Sequence, residues 1–385
     1  MTTLKKRNLH RGHGETEGTE KKETSRLPVG FRIRAARYSI LFCLLLAVMP
    51  ARAQEKPVLS IDQECTAFAM APDGRVVYAV RHTITRKHIL MERDDIWMMG
   101  AGAKRRRIVE GEKLVRGDGI FSYKVHWLRW SPDGRRLVAD LLTSSAKDPD
   151  DIPQDAEMAL LLDEDGKEIK IESADSVIPG GMNAAWLADG VTLGFLSEEM
   201  RPGLLFSLNT VRPATGRSDR VFPNATYLAA AWAPKSNQAV AIERDREFSG
   251  PMTLVLLDVI KQTRKELAKL DEFAGGLSIS PSGGKIAYYR DLETIEVREV
   301  AHPEKAIQVH ALVGNYRWSA DESRILLKPG AENKSNIIQW VTIADGTTDP
   351  ILHGLTYRDF EISPDGKQVA VRIPGKGNIE VYQFH

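Results

Sequence analysis

The chain has 385 residues, of which 42% are apolar and 27% are charged, and its formal net charge is +1. This apolar content is that of a globular protein, so it excludes a chain that is mostly disordered or mostly embedded in a membrane. Length alone allows about two or three domains.

Positions 1–53 predict a hydrophilic leader that ends in a secretory signal peptide. Arg32, Arg34 and Arg37 precede an apolar run at 40–49, and the sequence PARA at 50–53 supplies an A-x-A cleavage site. A basic segment, a short apolar core and small residues are typical of such signals, whereas the run is short for a bilayer span. An uncleaved anchor helix is the alternative. We expect a boundary between 1–53 and 54–385, with a periplasmic or secreted protein and no stable membrane insertion after cleavage.

Residues 54–385 have a different charge balance from the whole chain. Positions 1–53 contain 11 Lys and Arg and 4 Asp and Glu, so residues 54–385 carry a net charge of −6. A negative balance argues against a nucleic-acid partner, because phosphate binding needs an excess of positive charge. Cys65 is the only cysteine left after cleavage. An intramolecular disulfide is therefore excluded, and stability must come from the hydrophobic core.

A turn motif related to Ser-Pro-Asp-Gly returns seven times. A large apolar residue precedes each copy, and these residues lie 60, 56, 46, 47, 39 and 44 positions apart. A repeat of roughly 40–45 residues with strands around a turn is typical of a β-propeller blade. The copies are MAPDG (70–74), WSPDG (130–134), WLADG (186–190), WAPKS (232–236), ISPSG (279–283), WSADE (318–322) and ISPDG (362–366).

The segments around and between the copies predict strands. In WSPDG, Pro presets φ, Asp binds nearby backbone and Gly supplies a positive φ, so the motif predicts a turn between two strands. In three of the repeats, a short polar hairpin predicts the two outer strands of the blade: 95–99 with 106–109, 159–162 with 168–171, and 254–257 with 264–267. The prediction is an all-β, seven-bladed β-propeller of four-stranded blades. Residues 56–61 predict a strand that pairs beside 379–384 and closes the ring.

With these motifs, the chain resembles the TolB-type, WD-repeat-like β-propeller family. Blades of this family carry an aromatic residue or Ile, then S-P-D-G, then Lys or Arg and an apolar run, and three of the seven copies here keep P-D-G. The resemblance covers residues from about 54 to the C-terminus, with seven copies where TolB has six blades. It implies an exported bacterial protein that takes part in cell-envelope contacts.

No catalytic, metal-binding or cofactor-binding motif is evident. The histidines show no metal-ligand spacing, and the G-x-S-x-G motif of serine hydrolases is absent from the sequence. The acidic run DPDDIPQD at 148–155 allows a calcium loop, but its spacing is not that of an EF-hand and favours a solvated loop. We therefore predict no cofactor.

The position before each large residue should line the channel. Four of these residues are small, and a buried charge among the others demands a partner. We expect an ion pair between Arg317 and Glu361 in adjacent blades, and the alternative is a channel that binds an anionic or polar ligand. The seven residues are Ala69, Arg129, Ala185, Ala231, Ser278, Arg317 and Glu361.

Two functions from different classes remain open. The first is a monomeric, non-enzymatic scaffold whose rim binds a protein or another macromolecule of the cell envelope. The second is a carbohydrate-active lyase or hydrolase that uses the central channel. The candidate rim contacts are Tyr123, Lys124, His126, Asn183, Tyr227, Asn315, Tyr357 and Arg358.

Overall fold

A computed structural model describes most of residues 56–384. The described residues are 56–86, 89–100, 104–114, 120–146, 152, 154–171, 177–200, 205–248, 250–330, 336–353, 357, 359–373, 375 and 377–384. The predicted leader and signal peptide and the candidate rim residue Arg358 lie outside these residues. Twenty-eight strands and two short 3-10 turns make up the regular structure of the described part, which contains no α-helix. No helix there is long and apolar enough to cross a membrane.

The described strands fall into seven antiparallel groups of four, which we call blades 1 to 7. Blades 1 and 2 form one eight-stranded sheet, and so do blades 3 and 4. The strands of blades 1 to 3 are β2 (Ala67–Met70), β3 (Val76–Arg86), β4 (Ile89–Met99), β5 (Arg105–Val109), β6 (Ile120–Trp130), β7 (Arg136–Ser145), β8 (Gln154–Asp163), β9 (Val177–Pro179), β10 (Met182–Trp186), β11 (Leu193–Met200), β12 (Leu205–Arg212) and β13 (Arg217–Val221).

Blades 4 to 7 repeat the arrangement. Their strands are β14 (Tyr227–Trp232), β15 (Gln238–Glu243), β16 (Met252–Asp258), β17 (Thr263–Leu270), β18 (Gly275–Ile279), β19 (Lys285–Tyr289), β20 (Thr294–Glu299), β21 (Ala306–His310), β22 (Gly314–Trp318), β23 (Arg324–Pro329), β24 (Ile337–Thr342), β25 (Thr348–His353), β26 (Asp359–Ile362), β27 (Gln368–Arg372), β28 (Ile379–Gln383) and, at the N-terminal end, β1 (Leu59–Ile61).

The last blade contains the first strand. Leu59, Ser60 and Ile61 of β1 pair antiparallel with Val381, Glu380 and Ile379 of β28. The predicted pairing of 56–61 beside 379–384 is therefore present. Because β1 takes the fourth, outermost position of blade 7, it pairs with the edge of β28 and joins the two ends of the propeller in one sheet.

The hydrophobic core is divided into seven clusters, one between each pair of neighbouring blades. Blade 7 packs on blade 1 through a cluster that joins Val381 and Ile379 to Phe68 and Tyr78. Central strands such as β15 and β19 are apolar on both faces because neighbouring blades cover them on both sides. The clusters close into a ring, and the predicted all-β propeller fold is confirmed.

The repeated motif forms the same turn in its regular copies. In blade 2, Ser131 Oγ donates to Asp133 Oδ1 at 2.6 Å, and the Arg136 N–H donates to Ser131 Oγ at 2.9 Å. Ser319 with Asp321 and Ser363 with Asp365 repeat the 2.6 Å bond. The hydroxyl and carboxylate hold the turn, which explains why Ser and Asp recur two positions apart.

One predicted hairpin was wrong. Residues 168–171 do not form the fourth strand of blade 2. Glu168 forms an isolated bridge to Leu162, and the fourth strand is β9, which pairs with Met158, Ala159 and Leu160. The apolar Ile178 of β9 is buried at this position. Burial of this side chain favours pairing with β9, since 168–171 alternates charged residues with isoleucines. The hairpins 95–99 with 106–109 and 254–257 with 264–267 are present.

Candidate functional site

Two parts of the propeller carry polar side chains in unusual positions: the axial channel and the upper ends of blades 1 and 2. We call the end where the innermost strands begin the upper rim, and the end with the S-P-D-G turns the lower rim. The channel is lined by β2, β6, β10, β14, β18, β22 and β26, the first strand of each blade.

The predicted ion pair in the channel is present. Arg317 donates to Glu361 through Nε at 3.2 Å and through a terminal nitrogen at 2.7 Å. The side chains are 42% and 32% exposed, so the pair contacts solvent in the channel. The bidentate geometry across blades 6 and 7 fixes both groups, and Glu361 is the main cause of the raised pKa of Arg317.

Arg129 reaches the same channel from blade 2. Its side chain is exposed, and its guanidinium stacks on the ring of Trp127 at 4.7 Å. The surrounding protein lowers the pKa of Arg129 to about 10, chiefly by displacing water, with repulsion from Arg317 acting in the same direction and attraction to Glu361 opposing it. The channel admits water but encloses the Arg129 guanidinium, so the side chain contacts solvent and is still less hydrated than it would be in bulk water. Arg129 stays charged at neutral pH.

Asp140 lies beside this part of the channel, between blades 2 and 3. It is only 2% exposed, and its Oδ1 has no hydrogen-bond partner among the described residues. Burial, followed by repulsion from Glu157, raises its pKa to about 7, while Arg129, the Asn183 N–H and the Trp127 side chain stabilise the ionised form. This carboxyl therefore carries only part of a negative charge at neutral pH.

Asn183 joins three blades at the channel. Its backbone has a φ of 48°, a left-handed conformation that Asn tolerates better than most residues. Its carbonyl accepts from Trp232 Nε1 at 3.0 Å, and its Nδ2 donates to the Ala230 carbonyl at 2.9 Å in blade 4. Its Oδ1 accepts from Arg129 of blade 2 at 3.4 Å. Asn183 therefore positions Arg129 while it cross-links the blades.

A second network of charges lies between blades 6, 7 and 1. Arg372 in β27 is buried, and it donates to the Cys65 and Thr66 carbonyls at 2.9 and 2.5 Å and to Asp359. Lys328 in β23 is only 2% exposed, and burial lowers its pKa while attraction to Asp359 opposes the shift. Arg372 therefore connects the last blade to the backbone that leads into β2 of the first blade.

The upper ends of blades 1 and 2 extend beyond the other blades. Strands β3, β4 and β6 have 11 residues and β7 and β8 have 10, whereas the strands of blades 5 to 7 have three to six. Five extra residues add about 16 Å to a strand. Above the propeller, β4 pairs in parallel with β6, so the two blades continue as one sheet. We call residues 80–86, 89–95, 120–126, 141–145 and 154–158 the extension.

Two buried carboxylates hold the base of the extension. The Asp94 side chain is fully buried and accepts from Arg81 Nε at 3.0 Å, Thr66 Oγ1 at 3.2 Å and the Val125 N–H at 2.7 Å. Asp94 thereby ties β4 of blade 1 to β6 of blade 2.

Asp95 has its own set of partners. Its carboxylate accepts from the Gly111 N–H at 2.8 Å and from Arg107 at 3.0 Å, and it lies 3.1 Å from His82 Nε2. A Cβ at residue 111 would lie 2.6 Å from the Asp94 carbonyl oxygen, so glycine is required there. Beside Asp95 is a cavity of about 280 Å³, lined by His82, Thr83, Ile84, Arg93, Asp95, Arg107, Glu110 and Glu112.

The candidate rim residues divide into two classes. Tyr123, Tyr227 and Tyr357 are buried, and each belongs to a core cluster. These three tyrosines pack in the hydrophobic core, and we do not propose them as contacts with a partner. His126 and Asn315 are exposed, and Lys124 is partly exposed and lies 2.6 Å from Glu92. Arg358 lies outside the described residues.

No sequence signal identified the extension or its charged base. Arg81, Asp94 and Asp95 stand in ordinary strand segments; the signal that could have found the extension is the long spacing, 60 and 56 positions, before the second and third copies of the motif. Among the described residues, no group of three or more His, Cys, Asp or Glu side chains is placed to hold a metal ion.

Comparison with known proteins supports the fold. No protein-family model and no curated protein matches the chain. The β-propeller domain of Cps50 (Swd1) from Myceliophteria thermophila is 12% identical, with a TM-score of 0.53, over 85% of this chain and 99% of that one. A prolyl endopeptidase is 11% identical, with a TM-score of 0.55, over 92% of this chain but only 55% of its own. At such low identities the similarity shows the fold alone, and that fold is a β-propeller.

Proposed function

We propose that the protein is an exported, non-enzymatic β-propeller that binds a polypeptide of the cell envelope along the open edge of its extension. The observation that carries this proposal is strand β3, which continues past the end of its inner neighbour β2. Strand β2 pairs with β3 only as far as Ala79. Beyond Ala79, β3 pairs with β4 on one side, and the described residues supply no strand on the other.

The orientation of the backbone groups on this edge follows from the pairing below it. The Ala79 carbonyl accepts from the Thr66 N–H on the β2 side. Backbone groups of alternate residues in a strand point to the same side, and the β3–β4 pairing has no register shift. The N–H and C=O groups of Arg81, Thr83 and Thr85 therefore point to the open side, where an extended partner segment has matching donors and acceptors.

The charged cavity adjoins this edge. His82, Thr83 and Ile84 belong both to the open segment and to the cavity lining. A strand added along the edge places alternate side chains over the cavity, and its mixed charges favour polar residues at those positions. Backbone pairing supplies the affinity, and the cavity supplies the selectivity.

Export and a TolB-like role in the envelope are part of the proposal. They are supported by the basic and apolar pattern of the leader and by the family resemblance of the turn motifs. The net charge of −6 on residues 54–385 favours a protein partner over nucleic acid. Mass spectrometry of the protein from the periplasm or medium of an expressing bacterium tests export, and a mature N-terminus at Gln54 is the expected result.

The edge is tested with Thr83→Pro and Thr83→Ala. Proline removes an outward N–H but leaves the β3–β4 ladder intact, whereas alanine keeps the N–H and removes only the side chain. Tagged protein is used to capture partners from envelope extracts, and the captured polypeptides are compared by mass spectrometry. We expect a polypeptide that wild type and Thr83→Ala retain and Thr83→Pro loses. If wild type and both variants recover the same polypeptides in equal amounts and have the same melting temperature, binding at this edge is contradicted.

A further inference from the structure

The axial channel brings together charges from opposite sides of the ring. Arg129 belongs to blade 2, whereas Arg317 and Glu361 belong to blades 6 and 7. All three stand in the first strand of their blades, β6, β22 and β26, which line the channel, and Arg129 interacts electrostatically with both of the others. Four other blades contribute small residues at the equivalent position, which leaves space between the charges. These residues are Ala69, Ala185, Ala231 and Ser278.

The hydrogen-bond donors of Arg129 are mostly unused. A guanidinium has five N–H donors. Arg129 makes only two long hydrogen bonds, to the Ala184 carbonyl at 3.5 Å and to Asn183 Oδ1 at 3.4 Å, and both acceptors are neutral. No carboxylate of the described residues forms a salt bridge with it. Arg317, in contrast, is neutralised by its bidentate pair with Glu361.

The neighbouring charges also leave the channel positive. Among the described residues, Asp359 is bound by Arg372, and Glu361 is bound by Arg317, so neither is a hydrogen-bonded partner for Arg129. Asp140 is the remaining acidic group that interacts with Arg129, and it is only partly ionised at neutral pH because burial raises its pKa. Positive charge in the channel of a domain with a net charge of −6 needs a specific explanation.

We infer that the axial channel binds a small oxyanion, a carboxylate or a phosphate, on the guanidinium of Arg129. The Trp127 ring holds the guanidinium plane on one face, and Asn183 fixes one edge, so the remaining N–H groups are directed at the channel solvent. A planar guanidinium with a free edge suits two oxygens of one anion. Because Arg317 is neutralised by Glu361, Arg129 is the cation that binds the anion.

The test measures binding of two probes, inorganic phosphate and acetate, to the mature protein by isothermal titration calorimetry at low ionic strength. We expect at least one probe to bind with a dissociation constant below about 50 mM. The preferred probe distinguishes a phosphate ligand from a carboxylate ligand. Absence of heat from both probes overturns the inference.

Variants locate the site. Arg129→Gln should weaken binding about tenfold or more, and Arg129→Lys, which keeps the charge but loses the planar donor pair, should fall between wild type and Arg129→Gln. Arg135→Gln is the matched control, because Arg135 is an exposed arginine in the lower-rim turn after β6. It should bind as wild type does. Unchanged affinity in Arg129→Gln, or an equal loss in Arg135→Gln, shows that the anion binds elsewhere or only through net charge. Circular dichroism melting confirms that each variant is folded.

Discussion

Blades 1 and 2 and blades 5 to 7 are built from the same turn motif but differ in the length of their strands and in how the strands end at the upper rim. In blades 5 to 7 the strands end at the rim, and each blade is one four-stranded sheet. In blades 1 and 2 the strands continue upward and merge into one sheet with an open edge at β3. The short blades thus show what is sufficient to close a ring, and the long blades show what has been added to it.

The two regions also use buried charge differently. In the short blades, Arg372 binds backbone carbonyls of the first blade and closes the ring. In the long blades, Asp94 and Asp95 support strands that extend beyond the ring. We therefore expect the stability of the propeller to depend on the closure, and binding to depend on the extension.

Loss of the closure should have the largest effect. Arg372→Met leaves the Cys65 and Thr66 carbonyls and Asp359 without their donor, which should lower the free energy of unfolding by about 3–5 kcal/mol. Because the ring closes as a unit, we expect all blades to lose stability together. Denaturant unfolding followed by tryptophan fluorescence measures it.

The matched variant is Arg81→Met in the extension. Arg81→Met removes the cation beside the buried Asp94, but Arg81 is 32% exposed and Asp94 keeps its bonds from Val125 and Thr66, so the cost should be about 2 kcal/mol, less than that of Arg372→Met. Equal losses in the two variants would mean that the extension is as important to ring stability as the closure.

Asp140 should make stability depend on pH. Its pKa is about 7 in the folded protein and near 3.8 when exposed, so the folded state binds the proton more tightly. Its contribution to stability is therefore fully present below pH 4 and is lost as pH rises through 7. Asp140→Asn should match wild type at pH 4 and be more stable at pH 8, by on the order of 3 kcal/mol. Parallel stability curves for the two proteins would show that Asp140 titrates normally.

The irregular turns of blades 5 and 6 should show a smaller, coupled effect. Blade 5 has Ser282 where the motif has Asp, and Glu322 of blade 6 caps that turn instead, accepting from the Ser282 N–H at 2.6 Å and from Ser280 Oγ at 3.0 Å. Glu322 itself occupies the motif's glycine position with a φ of 60°.

Each single change in this pair should destabilise the protein. Glu322→Gly removes the cap, and Ser282→Asp places a carboxylate beside Glu322. The double variant restores the motif in both blades, so we expect a favourable coupling of about 1–2 kcal/mol in thermal unfolding. Additive effects would show that the two turns are independent.

Much of the fold follows from local chemistry and was predictable. Ser, Asp and Gly at fixed spacing form the same turn wherever they occur, and the strand at 56–61 had to pair because the last blade lacked a fourth strand. The Arg317–Glu361 pair was predictable too, since equivalent positions of adjacent blades meet at the axis.

The rest depends on non-local packing. Tyr123 stands at the start of an inner strand, a position that suggested the rim, but there this strand pairs with β4 and the Tyr123 ring is buried. The fourth strand of blade 2 was misplaced because Ile169 and Ile171 alternate like a strand, while Ile178 fills the buried position. Neither outcome can be read from one segment alone.

Residue-resolved hydrogen exchange along β3 tests the open edge most directly. The amides of Arg81, Thr83 and Thr85 should exchange fast, whereas those of His82 and Ile84, bonded to β4, should exchange slowly. Slow exchange at all five amides would show that another segment covers the edge, and fast exchange at all five would show that the extension does not form.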